Sequence, residues 1–526
     1  MNKARKHLSA KGMLDAIYRQ FKKINLPLEP VPRSNMFITL TDCLMSGLAV
    51  FGLKFPSLLK FDEHKTKKHI QHNLKTLYHV DRAPSDTYMR ERCDEVDPKE
   101  IRKAFTAVFS HVQRGNLLKE FESPLLKNHY LIAGDGTGFF SSKNVHCENC
   151  CSKTYGKCKV HITNKPPGLL DKIKKNTYML IENLQKTWDL YYINTQNELD
   201  KLELNLVPGL EEIILNKSKK TLSKNDKEQI ENIITDYHRR DHPDEQVSYY
   251  HNMFCAAIVH PDKKMVLPLA PEPIMKSDGN SKNDCERNAA KRLYTDARRE
   301  HPKMNFIVVE DSLASNVPHL TDLQALNMRF IVGAKSGDHK FLFEFVQKAD
   351  CIDYSHQTKD ETIHNYRYIN EVQLNNSHDF KVNFIEYWEV DKKGKKQHFS
   401  WVTDIEITND NAYEIMRGGR SNWRIENNTF NTLKNQDYHF SHNFGHGNKN
   451  LCTVFSMLML LAFFVDQVQE LSCFLFKQAR AQFKSRTSLW DSIRSIFMYY
   501  FIIGWESLFQ GIAHGHATPI FGIDTG

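Results

Sequence analysis

At 526 residues the chain exceeds the usual size of a single domain, and its composition of 40% apolar and 25% charged residues is that of a folded protein. Its eleven cysteines are an odd number, scattered apart from one cluster, which excludes a disulfide framework and favours a reducing compartment. The formal net charge of +8 is modest for this length but unevenly spread, and the length predicts roughly two to four structural units.

Residues 1–125 are predicted to be helical, because apolar residues recur at three- and four-residue spacing in MLDAIYRQFKKI, TLTDCLMSGLAVFGL and EIRKAFTAVFSHVQ. The start of this region is basic, which favours contact with nucleic acid or an acidic surface, with a solvated helix as the alternative. Its charges up to residue 33 are Lys3, Arg5, Lys6, Lys11, Arg19, Lys22, Lys23 and Arg33 against Asp15 and Glu29. The opening MNKARKHLSAKGML lacks the apolar core of a signal peptide, so we expect a cytoplasmic protein.

The following segments predict a mixed α/β core interrupted by insertions. HYLIAGDGTGFFSS (129–142) is predicted as a strand that runs into Gly-rich turns, and MNFIVVEDS as a buried strand that follows the helix KNDCERNAAKRLYTDARREHP. Residues 164–248, rich in Lys and Glu, are predicted to form a helical insertion. Residues 340–399, in which aromatic and polar residues alternate, are predicted to form a β-rich insertion.

Helices are predicted from about residue 411 to the end of the chain. The longest uncharged apolar run among them is LCTVFSMLMLLAFFV, residues 451–465. At about 15 residues it is shorter than the roughly 20 that cross a bilayer. We therefore interpret it as a buried core helix and expect no membrane partner.

Three carboxylates stand out by their position. Asp135 lies where the strand YLIAG meets a turn, Asp311 ends the strand FIVVE, and Glu426 is isolated in a helix crowded with Arg, Lys, Asn and Trp. Three converging acids repel one another unless a cation is present, and hard oxygen ligands suit Mg²⁺ or Mn²⁺. The alternatives are a turn-forming Asp135, a capping Asp311, and a Glu426 paired with Arg424 or Lys434.

The sequence around these acids resembles a known family. AGDGTGFFSS, VVEDSLASNVPHL and GGRSNWRIENNTFNTLKNQDYHFSHNFGHG together resemble the DDE transposases of bacterial insertion sequences. The nearest group looks like the transposases whose helix reads WRIENxTFNTLKNQ. The resemblance runs from about Pro27 to about residue 500 and includes DCLMSGLAVFGLKFPSLLKFD, APSDTYMRERCDEVD and KNDCERNAAKRL.

This resemblance implies a ribonuclease H-like core, a mixed sheet with flanking helices, whose catalytic residues would be Asp135, Asp311 and Glu426. Asp135 would bridge two Mg²⁺ or Mn²⁺ ions and the other two acids would each hold one. The implied activity is cleavage of insertion-sequence ends and their joining to target DNA, by a homodimer formed on DNA in the bacterial cytoplasm, associated with the nucleoid. The implied regions are residues 1–125 for binding the inverted repeats, residues 126–163, 249–339 and 400–450 for the catalytic core, and residues 451–526 for a C-terminal helical region.

The cations of the Glu426 helix are expected to contact DNA. They are Arg420, Arg424 and Lys434, joined by Trp423, which could stack on a base or pack against the sheet. The family signature departs here in two ways: Lys434 follows Glu426 by eight residues and not seven, and Asn422 stands where related helices place an Arg. An Asn cannot replace a bidentate phosphate clamp. A weakened or inactive DNA-binding relic, or a metal-dependent nuclease with the same core, are therefore the alternatives.

The cysteine cluster HCENCCSKTYGKCKVH predicts a structural zinc site built from Cys147, Cys150, Cys158 and His161, with reduced thiols as the alternative. The trio His439, His442 and His446 also suggests a metal, but its Gly-rich context and the family resemblance favour structural or DNA-end contacts. The GDGTG stretch lacks the spacing of a dinucleotide-binding loop.

Overall fold

The structure, a computed structural model, describes residues 6–25, 38–154, 158–164, 176–194, 198–215, 217–241, 247–279, 282–358 and 361–515. Four charged residues of the N-terminal basic segment, Lys3, Arg5, Glu29 and Arg33, lie outside these ranges. The chain forms two compact units. Unit 1 comprises Met1–Phe140, His146–Cys151 and His251–Gly526, and unit 2 comprises Ser141–Val145 and Ser152–Tyr250.

Helices dominate both ends of the chain. The α-helices are α1 (Ala10–Phe21), α2 (Leu40–Gly52), α3 (Leu58–Asp62), α4 (Lys68–Tyr78), α5 (Asp86–Asp94), α6 (Pro98–Arg114), α7 (Leu210–Ile214), α8 (Lys224–Asp241), α9 (Lys282–Glu300), α10 (Val317–Ala325), α11 (Lys340–Val346), α12 (Ala412–Arg420), α13 (Asn431–Asn435), α14 (Leu451–Ser472), α15 (Phe474–Ala481), α16 (Arg486–Tyr499) and α17 (Trp505–His514). Short 3-10 helices are Lys6–Leu8, Leu117–Phe121, Leu204–Leu206, Lys276–Asp278 and Ser312–Ala314, and a π-helix spans Ile425–Phe430.

The strands are β1 (His129–Ser142), β2 (Cys151–Thr154), β3 (Lys159–Thr163), β4 (Thr177–Glu182), β5 (Trp188–Ile193), β6 (Leu199–Leu202), β7 (Val247–Val259), β8 (Leu267–Pro268), β9 (Glu272–Ile274), β10 (Asn305–Glu310), β11 (Arg329–Gly333), β12 (Ile352–Gln357), β13 (Ile363–Gln373), β14 (Lys381–Val390) and β15 (Lys396–Thr403). They form two sheets. The predicted mixed α/β class is confirmed.

The large sheet has the strand order β12-β13-β14-β15-β11-β10-β1-β7-β2, and β8 and β9 both pair with β7. Its centre is parallel: β1 pairs with β10, and β10 pairs with β11. These central strands are short runs of Leu, Ile, Val and Phe, which suit a sheet covered on both faces. The strand-rich stretch expected at residues 340–399 corresponds to α11 and to the antiparallel strands β12–β15. It continues the large sheet, because β15 pairs with β11.

The apolar helix α14 is a buried core element of 22 residues, longer than the 15-residue run that the sequence marks. Among the described helices it has the length and composition to cross a membrane, and its apolar window is entirely buried within the protein. It contacts α2, α5 and α6, so the N-terminal and C-terminal helices share one core. Residues 1–125 and 451–526 belong to the same compact unit as residues 126–140, 251–339 and 400–450.

A buried ion pair joins α14 to the segment between α2 and α3. The Lys54 ammonium, on a side chain that is 0% exposed, donates to Asp466 Oδ2 at 2.5 Å and to the Gly52 carbonyl at 2.9 Å. It also lies 4.3 Å from the ring centroid of Tyr438 and 4.1 Å from that of Trp490. Burial lowers the pKa of Lys54, and the Asp466 carboxylate opposes that effect. The ammonium is thus paired, hydrogen-bonded and enclosed by aromatic faces.

Asp94, at the end of α5, holds the chain that leads into α14. Its carboxylate accepts four successive backbone N–H groups, those of residues 448–451, at 2.9–3.0 Å. Burial alone would raise the pKa of Asp94, but these four hydrogen bonds outweigh it and the pKa is lowered. A Cβ on Gly447 would lie 2.3 Å from Asp94 Oδ1, and its φ of +72° is a left-handed conformation that favours glycine. The carboxylate therefore fixes the loop before α14.

Unit 2 contains a four-stranded sheet in the order β3-β4-β5-β6, with β3 parallel to β4 and the other pairs antiparallel. Its core packs residues of β4 and β5 against α7 and α8. The prediction of a helical insertion at residues 164–248 is wrong in part, because this range holds the strands β4, β5 and β6 as well as the helices α7 and α8. The strands TYMLIE and WDLYYI are short and rich in aromatic and aliphatic residues, but they lie within a Lys- and Glu-rich stretch whose composition favours helix.

Candidate functional site

Asp135 and Asp311 lie on neighbouring parallel strands. Ala133 of β1 pairs with Val309 of β10, so each Asp follows its paired residue by two positions. Asp135 is half-buried within β1, and its Oδ1 accepts the N–H of Gly136 at 2.7 Å. Asp311 directly follows β10, is exposed, and its Oδ1 accepts the N–H of Leu313 at 2.9 Å. Asp311 therefore lies at the carboxyl end of β10, where α/β sheets gather function, and Asp135 lies just beyond the part of β1 that pairs with β10. The Gly-rich turns predicted after YLIAG are not formed, because β1 continues as a strand to Ser142.

Glu426 is placed by a nearly continuous helical segment from α12 to α13. Two glycines let α12 approach the sheet: a Cβ on Gly418 would lie 2.9 Å from Ile331 Cδ1, and one on Gly419 would lie 2.5 Å from Trp401 Nε1. The segment then adopts a π-helix, in which Glu426 is exposed. Single π-helical turns inside helices are rare overall, but those that occur are often at functional sites.

The charges of neighbouring acids act on Asp135. The pKa of Asp135 is raised from 3.8 to about 7, with burial as the largest cause. The N–H of Gly136 opposes this shift, and the carboxylates of Glu286, Asp311 and Glu426 add to it. Acids brought together without a cation raise one another's pKa in this way. A divalent cation bound between these acids would relieve such repulsion.

Glu286, on α9, is an acid of this site that the sequence does not reveal. A Cβ on Gly136 would lie 2.7 Å from Cδ of Glu286, so the carboxyl group lies directly against the backbone beside Asp135. The only local signal is its position in KNDCERNAAKRL, where charged residues stand on both sides. Its approach to β1 depends on how α9 packs, which no local pattern records.

The acids do not converge as tightly as a filled metal site. In the described part of the chain, one group of potential metal ligands has all its ligand atoms within 4.8 Å of one another. It consists of Cys147, Cys150, His251 and His446, and it does not include the acids.

A groove of about 1060 Å³ opens beside the acids. It is lined by both carboxylates Asp311 and Glu426, by Asn422 and Trp423, and by residues of β15 and of the segment after β11. Trp423 is 61% exposed. An exposed indole beside acidic groups is free to stack on a planar ligand, so this side chain does not pack against the sheet.

The expected DNA-binding cations differ in their availability. Arg420 forms an ion pair with Glu389 and lies over the ring of Phe399. Arg424 donates to the Pro261 carbonyl at 2.6 Å, and burial lowers its pKa. Both guanidinium groups are thus engaged within the protein, which does not support the prediction that they grip phosphate. Lys434 is exposed and forms no ion pair with any described residue.

The position expected to hold a phosphate clamp is Asn422. Its Oδ1 is buried and accepts no hydrogen bond from any group in the described part of the chain. A buried acceptor that receives no hydrogen bond lowers the free energy of unfolding by roughly 1–3 kcal/mol. The side chain therefore has one unmet acceptor beside the groove.

The predicted zinc ligand set is half wrong. Cys147 and Cys150 lie in unit 1, but Cys158 and His161 belong to unit 2, where the Cys158 thiol lies 3.9 Å from Thr235 Oγ1. The partners of the first two cysteines are instead His251 of β7 and His446. Of the histidine trio, His446 joins this cluster, whereas the ring of His442 packs edge-on against Phe444 at 4.8 Å.

The raised pKa of Asp135 predicts a pH-dependent stability. Below pH 3.8, the ordinary pKa of this side chain, the carboxyl is neutral in both the folded and the unfolded protein. The stability that the neutral carboxyl gives to the folded protein is lost as the pH rises through about 7, the pKa of Asp135 in the folded protein. We expect Asp135→Asn to melt at a higher temperature than the wild type in EDTA, by roughly 2–5 °C at pH 8 and by little at pH 5. Thermal melts of both proteins across this range, with and without Mg²⁺, check it, and Mg²⁺ should shrink the pH 8 difference. A difference independent of pH would contradict the raised pKa.

Comparison with known proteins finds no family model that matches this chain and no match among the curated proteins.

Proposed function

We propose that the protein is a DDE-type DNA transposase with a ribonuclease H-like core. Asp135, Asp311 and Glu426 would hold the Mg²⁺ or Mn²⁺ ions. When bound, two such ions stabilise the attacking and leaving oxygens of an in-line phosphoryl displacement. In the first reaction water attacks a phosphodiester at the end of the element and releases a 3′-hydroxyl. In the second, that hydroxyl attacks a phosphodiester of the target and joins the two DNAs.

The observation that carries this proposal is the placement of acids from three separate elements around adjoining cavities. Asp311 after β10 and Glu426 from the π-helix line one groove, and Asp135 from β1 lines a smaller cavity together with Asp311. Between the second and third of these acids the chain contributes the strands β12–β15. The same order is the one that the sequence resemblance implies, with a β-rich insertion before the Glu helix.

The sheet also supports a ribonuclease H-like arrangement. On one side of β1 lies β7, with which β8 and β9 pair in antiparallel orientation. On the other side β1 pairs in parallel with β10, which in turn pairs in parallel with β11. The first Asp is thus on the first strand of the core and the second follows the strand that pairs directly with it. α12 contacts β10 and β11, which brings the segment carrying Glu426 to the same edge.

The chain's own residues position DNA more than they alter it chemically. Trp423 offers an exposed indole at the groove, on which an unpaired base at a cleaved end can stack. Lys434 offers an exposed ammonium, a point charge suited to a phosphate. Glu286, against Gly136, adds negative charge next to Asp135, which strengthens the need for a cation. Two ends must be cleaved and joined together, so we propose a homodimer that assembles on DNA in the bacterial cytoplasm.

The test is strand transfer by the purified protein. Pre-cleaved element ends are incubated with a supercoiled target plasmid and Mg²⁺, and the products are separated on a gel. A transposase yields end–target joints, whereas a nuclease with the same core yields cut DNA without joints. Absence of both products, with DNA binding retained, would favour the non-catalytic alternative.

One observation favours that alternative. Asn422 stands at the clamp position with an unmet acceptor, and Arg420 and Arg424 are both engaged within the protein. A protein that grips its ends weakly would bind DNA through the N-terminal basic helices and turn over slowly. Asn422→Arg should then raise strand transfer, since a guanidinium can hold a phosphate with two hydrogen bonds.

Trp423 provides a prediction about end binding. We expect Trp423→Ala to weaken binding of ends with unpaired terminal bases by about 1–3 kcal/mol per stacked base, because the aromatic platform is lost. Fluorescence anisotropy with labelled ends measures it, and Trp423→Phe, which keeps an aromatic face, is the control. Equal affinity of the Ala variant for such ends would show that Trp423 has another role.

A further inference from the structure

Four potential metal ligands converge in unit 1 without any acidic residue among them. The Cys147 and Cys150 thiols lie 3.9 Å apart. His251 Nε2 lies 3.4 Å from the first sulfur and 3.2 Å from the second, and His446 Nε2 lies 3.3 Å from Cys150 Sγ. The two Nε2 atoms are 3.2 Å apart. All four atoms lie within 4.8 Å of one another.

These separations match the edges of a tetrahedron around one zinc ion. Bond lengths of about 2.3 Å to sulfur and about 2.0–2.1 Å to nitrogen give edges of roughly 3.8 Å between sulfurs, 3.6 Å between sulfur and nitrogen and 3.3 Å between nitrogens. A disulfide between the cysteines would instead need a sulfur–sulfur distance near 2.05 Å. The four ligand atoms are therefore spaced for a shared ion.

The hydrogen bonding of His446 directs a lone pair into the cluster. Its Nδ1 lies 2.7 Å from the Gly447 carbonyl oxygen, which can only accept, so Nδ1 carries the proton and Nε2 does not. A backbone carbonyl on the far nitrogen is the usual partner of a metal-bound histidine.

The cluster is enclosed. Cys150, His251 and His446 are buried, and Cys147 is half-buried. Phe139 stacks on His251 with ring centroids 5.9 Å apart, and Phe140 lies 4.6 Å from His446. Four protein ligands leave no open position for water or substrate, which is the pattern of a structural zinc site. A chemical role at this site is therefore not implied.

We propose that Cys147, Cys150, His251 and His446 form a structural zinc site that joins three distant segments of unit 1. The two cysteines come from the turn before β2, one histidine from β7, and the other from the loop between the Glu426 helix and α14. Residues His146–Cys151 belong to unit 1 although both flanking segments belong to unit 2. A zinc ion bound to both cysteines holds this short segment in unit 1. The inference does not depend on the proposed transposase activity.

The ligand types select zinc over other metals. Two thiolates and two imidazoles in tetrahedral geometry suit Zn²⁺, whereas Mg²⁺ and Ca²⁺ require oxygen ligands. An iron–sulfur centre of the Cys2His2 type distributes its cysteines and histidines over two irons. Here both kinds of ligand surround a single point, so one ion is expected per chain.

The experiment measures metal content. Full-length protein is purified under reducing conditions and its affinity tag is removed. Inductively coupled plasma mass spectrometry should then find about one zinc per chain. Replacement of zinc by Co²⁺ should give the visible absorption and thiolate charge-transfer bands of a tetrahedral site. Cys150→Ser and His446→Asn should each lose at least about tenfold in zinc affinity. Their melting temperatures should fall by roughly 5 °C or more.

Two control variants separate this ligand set from others. Cys452→Ser removes a buried thiol of α14 that lies near the cluster but outside it, and it should retain zinc. The double variant Cys158→Ser/His161→Asn removes the two ligands suggested by the sequence spacing, and it should also retain zinc. Loss of zinc in either control, with zinc kept in Cys150→Ser, would overturn the proposal.

The wild-type protein decides the question if a ligand variant fails to fold. Iodoacetamide should leave Cys147 and Cys150 unmodified until a chelator is added, and peptide mass spectrometry identifies both. Protein that contains less than about a tenth of an equivalent of zinc, takes up none on reconstitution, and has both thiols reactive or disulfide-bonded would overturn the proposal. Since none of these measurements uses DNA, a negative result here is separate from a failure of strand transfer.

Discussion

Asp135→Asn should abolish strand transfer while leaving the protein folded. Asn keeps the shape of the side chain and can still accept the N–H of Gly136, but it removes the charge that the proposal places between two metal ions. We expect a loss of at least about 100-fold in joined products, in line with removing one preorganised electrostatic contact, and more if both ions are lost. Quantified gels of end–target joints measure it. Binding of uncleaved ends should remain within about threefold of wild type.

The control is an exposed acid outside the site. Asp353 lies on β12, is 65% exposed and pairs with Arg367. Asp353→Asn should leave strand transfer unchanged. Asp135→Asn with wild-type yields would contradict the assignment of the acids, even if some other residue supported activity.

Glu286→Gln is informative in addition: it should alter the Mg²⁺ concentration that gives half-maximal activity more than the maximal yield, because Glu286 affects the charge beside Asp135.

Asp466→Ala should destabilise unit 1 by about 3–5 kcal/mol in the free energy of unfolding. The change leaves the Lys54 ammonium buried without its counter-charge, and an uncompensated buried charge has that cost. It also removes the acceptor of the Tyr438 hydroxyl, which donates to Asp466 at 2.6 Å. Urea unfolding followed by tryptophan fluorescence measures the effect through the midpoint and the slope of the transition, and a changed slope would signal loss of cooperativity.

An exposed ion pair provides the matched control. Lys60 and Glu63 are 52% and 45% exposed and their charged atoms lie 3.0 Å apart. Glu63→Ala should cost no more than about 1 kcal/mol, because solvent screens such pairs. The double variant Lys54→Met/Asp466→Leu should recover much of the loss, since apolar residues of similar volume replace buried ion pairs at little cost. A loss below about 1 kcal/mol in Asp466→Ala would mean that water reaches Lys54 after the change.

The sequence predicts the central strands well and unit 2 poorly, for a physical reason. The strands around Ile132 and Val308 are continuous apolar runs, a pattern that buried parallel strands share and few other elements do. In unit 2, β4 and β5 are only six residues each, so charged flanking segments dominate any window of helical length. Their pairing with each other is a tertiary property.

The same distinction applies to the sites. Asp311 follows from local context, because it stands where a predicted strand ends. Asp135 is expected from the sequence where a strand meets a turn, whereas β1 continues through it to Ser142. The ligands of the proposed zinc site do not follow from local context. The spacing of Cys147 and Cys150 marks half of the cluster, but His251 and His446 lie 101 and 296 residues beyond Cys150. A lone histidine in a strand carries no sign of such a partner. The sequence spacing therefore assigned the other half to nearer residues, which the fold separates.

The insertion point of unit 2 has a consequence for how the protein can change. The chain leaves unit 1 in β1, re-enters it for His146–Cys151, leaves again in β2 and returns in β7. β2 and β7 are neighbours in one sheet, so the long part of unit 2, Ser152–Tyr250, begins and ends on adjacent strands. A segment inserted between adjacent strands can be lengthened or exchanged during evolution with little change to the sheet that carries it. Diversity among descendants of this chain should therefore accumulate in Ser152–Tyr250, while the acidic site and the segment with Cys147 and Cys150 keep their scaffold.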